Sequence, residues 1–172
     1  MNIFKKNALL MMSLLLYTGC SSTTSPHPNK TKYLHQNSNF IVLKTPVLRY
    51  ADQGFVNSGG GMVNVEIYSN GVAVMKFKIE NKKVCLGTGI FSCMDSKQFN
   101  MRYLNINYPD DIMYDIFTGK AIFSGKNKVK SKTGFAQEIN KSGVYKIRYS
   151  VLNHTIIFHD TISNILIKIR EK

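Results

Sequence analysis

A chain of 172 residues is long enough for one domain with a sizeable core, and its length gives no reason for a second. Its longest apolar run is too short to span a bilayer, and no repeat of 20–50 residues marks a solenoid. A formal net charge of +13, on a chain that opens with an export-like signal, argues for anionic surfaces such as phospholipid or lipopolysaccharide head groups before nucleic acid.

Residues 1–19 have the anatomy of a signal peptide: Lys5 and Lys6, an apolar stretch from Ala8 to Leu16, then the small residues Thr18 and Gly19. Cys20 follows directly, in "LLLYTGCSS". This segment resembles a bacterial lipobox, with Tyr17 where the pattern usually has Leu. The resemblance implies cleavage before Cys20, acylation of that cysteine (palmitate among the attached chains), and a mature chain of 20–172. The alternative is an ordinary secreted protein cut nearby. Loss of Lys5 and Lys6 would lower the formal charge from +13 to +11, because no acidic residue precedes Asp52. Ser21 and Ser22 lack the Asp that resembles an inner-membrane retention signal, which favours the outer membrane, facing the periplasm. Residues 20–38 have the composition of a flexible tether, and His27 and His35 within it read as solvated.

From residue 39 to 172 a single antiparallel β domain is predicted. "NFIVLKTPVLRY" is apolar with Pro46 inside it, which suggests an edge strand or a bend. Gly59-Gly60-Gly61 lacks the lysine and hydroxyl of a phosphate loop and reads as a turn. In "MVNVEIYS" Val63, Val65 and Ile67 alternate with polar residues, and Asn70-Gly71 suits a type I′ hairpin turn. The returning strand "VAVMKFKIE" aligns Ala73, Met75, Phe77 and Ile79 on one face. With Cys20 assigned to the lipid, Cys85 and Cys93 form an even pair. Export favours a disulfide between them over two free buried thiols.

Residues 95–119 hold the helical patterns. Asp95 or Ser96 can cap a helix carrying Phe99, Tyr103 and Leu104. Pro109 suits a first helical position, Asp110 and Asp111 the positive end, and Gly119 the exit. Ile112, Met113, Ile116 and Phe117 then fall on one side. Lys126, Lys128, Lys130 and Lys132 follow on a predicted loop, either a solvated hairpin tip or a head-group contact. Strands resume in "FAQEI", "VYKIRYSV", "TIIFHD" and "ILIKIREK", each with one dry and one wet face. About eight strands and two short helices result: a mainly β (α+β) curved antiparallel sheet or half-barrel with the helices inserted midway, or else a closed sandwich.

No catalytic constellation is legible. His154 and His159 are expected on opposite faces of a strand, Asp110 and Asp111 serve capping, and no nucleophile element accompanies His159-Asp160. The expectation is a non-enzymatic protein with no cofactor and no metal. The segments "VNVEIYSNGVAVMKFKIE", "YPDDIMYDIFTGKAIF" and "YKIRYSVLNHTIIFHDTISNILIKIREK" resemble in layout the LolB-type outer-membrane lipoprotein receptors. There an unclosed barrel with a helical lid holds a lipoprotein's acyl chains. The Cys85/Cys93 pair and the absence of Trp depart from that family. The resemblance implies that acyl chains or lipoproteins are the partners, with Val65, Met75, Phe77, Ile116, Phe117 and Tyr149 lining a cavity; the alternative is that the apolar and aromatic residues at sheet period are simply a core. The other class left open is a protein-interaction or structural β-sandwich module of the cell envelope.

Overall fold

A computed structural model describes residues 38–80 and 82–172. The readings of the signal peptide, Cys20, His27, His35 and nearly all of the tether lie outside the described residues. The strands are β1 (Ser38–Lys44), β2 (Arg49–Gly59), β3 (Met62–Ser69), β4 (Val72–Glu80), β5 (Lys83–Gly87) and β6 (Ser92–Asp95). Two helices, α1 (Ser96–Tyr103) and α2 (Ile112–Thr118), follow, then a 3-10 turn at Phe123–Gly125. β7 (Lys128–Ser131), β8 (Gly134–Lys141), β9 (Tyr145–Leu152), β10 (Thr155–Asp160) and β11 (Ile165–Glu171) complete the domain.

All eleven strands form one antiparallel sheet in the order β6-β5-β4-β3-β2-β1-β11-β10-β9-β8-β7. The domain therefore builds outward from its first and last described strands. β1 and β11 pair at the centre, Asn39 opposite Glu171, and each half continues by consecutive hairpins to a free edge. The sheet is curved but unclosed, since β6 and β7 do not pair with each other. The sandwich, which needs two sheets, is thereby overturned.

The described residues hold eleven strands, above the eight expected, for local reasons. The apolar run around Pro46 breaks into two strands. Thr45 Oγ1 accepts the N–H groups of Val47 and Leu48 at 3.2 and 2.9 Å, fixing a tight turn that Pro46 can occupy without needing a ladder donor. β5, β6 and β7 are too short to show a period of their own. The Asn70-Gly71 hairpin forms as read, with φ of 50° and 79°, the positive pair a type I′ turn needs. Gly54 is a different case: a Cβ there would lie 2.2 Å from the carbonyl oxygen of Glu66, so β2 and β3 approach closely only because the side chain is absent.

Alternation then sorts the side chains. Val63, Val65 and Ile67 of β3, Met75, Phe77 and Ile79 of β4, Tyr145, Ile147 and Tyr149 of β9, and Ile165, Ile167 and Ile169 of β11 are buried on the concave face. The helices cover that face. Asp95 caps α1, its carboxylate accepting the N–H of Gln98 at 2.7 Å. α2 begins at Ile112, three residues after Pro109, so Pro109 is not its first residue, and Asp111 at the N-cap makes no side-chain capping bond. Gly119 ends α2 at φ 66°, in the left-handed conformation that glycine adopts without penalty. Ile112, Met113, Ile116 and Phe117 are all buried, contributing roughly 1.5–3 kcal/mol each. A helix of seven residues has little stability alone, so this burial is what holds it.

Candidate functional site

The six residues expected to line a cavity all lie in the core. Val65, Phe77 and Met75 come from β3 and β4, Ile116 and Phe117 from α2, and Tyr149 from β9. Phe117 borders one surface cavity and Val65 and Phe77 another, yet all six are almost without accessible surface. Val65 and Ile116 are 0 % exposed, and Phe77 and Tyr149 are 1 % exposed. In this structure the six belong to a packed interior, in which α2 and the rings around it fill the concavity. Phe77 meets Phe99 edge-on at 6.4 Å, and Tyr149 lies 5.9 Å from Phe135 and 6.4 Å from Phe158.

One place that opens to solvent is the end of α2. A cavity of about 510 Å³ lies where Phe117, Thr118 and Gly119 meet the sheet, between Val56 of β2, Val151 of β9 and Ile156 of β10. Phe117 belongs to both this cavity and the core, so the opening leads directly to the helix that plugs the sheet. Val56, Val151 and Ile156 are only partly buried, giving the opening an apolar wall. His154 and Glu171 form its polar rim, with Nδ1 and Oε2 3.1 Å apart. His154 sits in the turn before β10 at φ 57°, not within the strand, which corrects the expected placement of the two histidines.

Two buried polar clusters fasten the covering segment to the sheet; from the sequence only Asp160 stands out, as the neighbour of His159. Asp160, fully buried at the end of β10, accepts the hydroxyl of Tyr108 at 2.5 Å and the N–H groups of Lys146 and Ile162 at 2.9 and 3.0 Å. Burial pushes its pKa up. Hydrogen bonds from Ser163, Tyr108 and those two backbone groups outweigh that and leave the carboxyl below its usual range. Tyr108, buried against this carboxylate, is held neutral. Gln137 of β8 clamps the stretch after α2, accepting the N–H of Ile122 at 2.9 Å and donating to the carbonyls of Ile122 and Lys126 at 3.0 and 2.6 Å. The available signal was alternation: Asp160 shares a face with Phe158, and Gln137 with Phe135 and Ile139, so each is a polar residue at a core position.

On α2 itself, Asp115 is partly buried. That desolvation, with the negative charge of Asp111 and against the positive charge of Lys120, pushes its pKa up to about 6. On the sheet, Glu66 receives the Tyr68 hydroxyl at 2.5 Å and Lys76 Nζ at 3.0 Å. The Tyr68 bond chiefly holds Glu66 below the usual carboxylate range, burial opposes it and Lys76 adds to it.

Cys85 and Cys93 form a disulfide across directly opposed positions of β5 and β6. The four lysines do not share a loop, which corrects that expectation. Lys128 and Lys130 belong to β7, an edge strand exposed along its whole length, while Lys126 precedes it and Lys132 lies in the turn beyond it. Lys128 Nζ sits 4.1 Å from the ring centre of Phe135. Among the described residues no group of three or more His, Cys, Asp or Glu could hold a metal ion, and no helix is long and apolar enough to cross a membrane. No family model matches the chain, and no curated protein matches it in sequence.

Proposed function

We propose that this is a lipid-anchored, periplasm-facing outer-membrane protein without enzymatic activity, whose sheet takes up the acyl chains of a lipid or lipoprotein. The observation that carries this reading is the unclosed sheet whose apolar concave face is covered by a seven-residue helix. A sheet with free edges can widen without breaking ladder hydrogen bonds. α2, tethered on both sides by loops and held by apolar contact, exchanges one apolar partner for another when an acyl chain replaces it. Val65, Met75, Phe77, Ile116, Phe117 and Tyr149 are the surface uncovered, and the opening beside Phe117 and Ile156 is the way in. The resemblance to LolB-type receptors supports the same reading by layout alone. On β7 the lysines keep the free edge charged, which opposes edge-to-edge association, and Lys126, Lys128, Lys130 and Lys132 are candidates for head-group contact.

A fluorescent fatty acid titrated into detergent-free protein tests the proposal. Saturable uptake is expected, and Ile156→Glu, which places a charge in the opening on a partly buried residue packed against the core, should weaken it at least tenfold with the circular dichroism spectrum unchanged. Absence of saturable uptake would reject acyl binding. It would leave the second reading, an envelope interaction module, which the packed interior favours.

A further inference from the structure

The two rims of the sheet differ in a way that neither the core nor the proposed acyl site requires. Because neighbouring strands are antiparallel, successive turns alternate between rims. One rim carries the turns β1–β2, β3–β4, β5–β6, β8–β9 and β10–β11. The α1–α2 loop joins it, since Asn105 Nδ2 donates to Val144 O at 2.9 Å and Ser163 Oγ at 2.8 Å. On this rim Val47, Val72, Ile90, Phe91, Ile106 and Ile162 are exposed, from 43 % for Phe91 to 95 % for Ile90. Only two other large apolar residues in the described chain are comparably exposed, Met101 on α1 and Val129 on β7.

The opposite rim is polar. Its turns present Gly60 and Gly61, Lys82, Lys132 and Thr133, and Asn153 and His154. Ser38 and Lys172 also lie there, joined by a bond from the Lys172 N–H to the Ser38 carbonyl at 3.1 Å. Exposed acidic residues follow the same division, while cations stand at both rims. Segments 43–51, 67–75, 86–94, 103–107, 141–146 and 161–166, which make the apolar rim, contain no Asp or Glu, and Asp160, which ends β10 beside it, is fully buried; exposed Lys44, Arg49, Lys141 and Lys146 stand beside its turns. At the other rim Glu80, Asp95 and Glu171 end β4, β6 and β11.

Single apolar side chains at hairpin tips, backed by cations, suit an interface in which each tip enters an apolar layer beneath an anionic one. They do not suit a protein partner's flat surface, because polar turn residues separate the tips. The Cys85–Cys93 bond closes the hairpin that carries Ile90, the most exposed of them, so its strands cannot splay. We propose that this rim seats on an anionic phospholipid bilayer, with the six apolar side chains in the acyl boundary and the four cations at the head groups.

The chain contains no Trp, so one introduced Trp reports its own surroundings. Full-length Ile90→Trp, Ile162→Trp and, on the opposite rim, Thr133→Trp would each be mixed with phosphatidylcholine vesicles containing one quarter phosphatidylglycerol, with and without brominated acyl chains. The expected result is at least twofold bromine quenching at positions 90 and 162, little at 133, and loss of the rim quenching when phosphatidylglycerol is omitted or salt is high. Equal quenching at all three positions, rim residues that bromolipid does not quench, or quenching indifferent to phosphatidylglycerol would each overturn the proposal. The readout is local to the rim, so it stands or falls separately from fatty-acid uptake.

Discussion

Tyr108→Phe removes one hydroxyl and leaves the ring that packs edge-on against Phe158 at 5.7 Å and Phe123 at 6.4 Å. The hydroxyl donates to the ionised Asp160 carboxylate inside the core, and hydrogen bonds to charged groups contribute about 1.5–3 kcal/mol net. Asp160 keeps the N–H groups of Lys146 and Ile162, so the carboxylate is not left bare and the loss should fall near the lower end of that range. The pH dependence follows from its depressed folded pKa. A carboxyl held below its unfolded value of about 3.9 stabilises the fold above that pH, and the stabilisation is lost as pH falls through the folded value. The Tyr108→Phe penalty should be largest at pH 7 and shrink toward the ~1 kcal/mol of a neutral bond once Asp160 is protonated. Urea unfolding followed by circular dichroism at pH 7, 5 and 3 measures this. A penalty below about 0.5 kcal/mol at pH 7, or one that grows on acidification, would refute the assignment of Asp160 as an ionised anchor.

Three further outcomes are expected. Replacing Cys85 and Cys93 with Ser opens a link of sequence separation 8, which the chain-entropy relation values at about 2.5 kcal/mol. The variant's urea midpoint should match that of the reduced wild type, and a midpoint equal to the oxidised protein's would contradict a stabilising bridge. Asp115→Asn should stabilise the fold at pH 7 by about 1 kcal/mol, after discounting the raised pKa for partial exposure. Because a raised carboxyl pKa costs stability as pH climbs from about 4 to 6, the gain should fade by pH 4; a gain independent of pH would count against burial as its cause. Cys20→Ala should abolish metabolic labelling by palmitate and release the protein from the membrane fraction, and unchanged labelling would dispose of the anchor.

Much of the sheet was legible because β-structure with one dry face writes a period of two. Val63 to Ile67, Tyr145 to Tyr149 and Ile165 to Ile169 each carry it, and Asn70-Gly71 and Gly119 mark a turn and a helix exit through the positive φ they supply. The lysine-rich β7 was not legible, since an edge strand exposed along its length has no dry face to reveal it. Nor could the sequence tell a filled concavity from a hollow one. Ile116 and Phe117 satisfy the same pattern whether they line a void or plug it, and only their lack of accessible surface decides. Asp160 and Gln137 broke the apolar pattern, and their role depends on partners about 50 and 15 residues distant.

Acyl-chain carriage is tested most directly by native mass spectrometry of the protein purified without detergent and mixed with phospholipid vesicles. The expected spectrum contains a stoichiometric adduct with the mass of one phospholipid or free fatty acid, reduced in Ile156→Glu. Only the bare protein mass, at lipid concentrations where a fatty-acid-binding control is saturated, would contradict it.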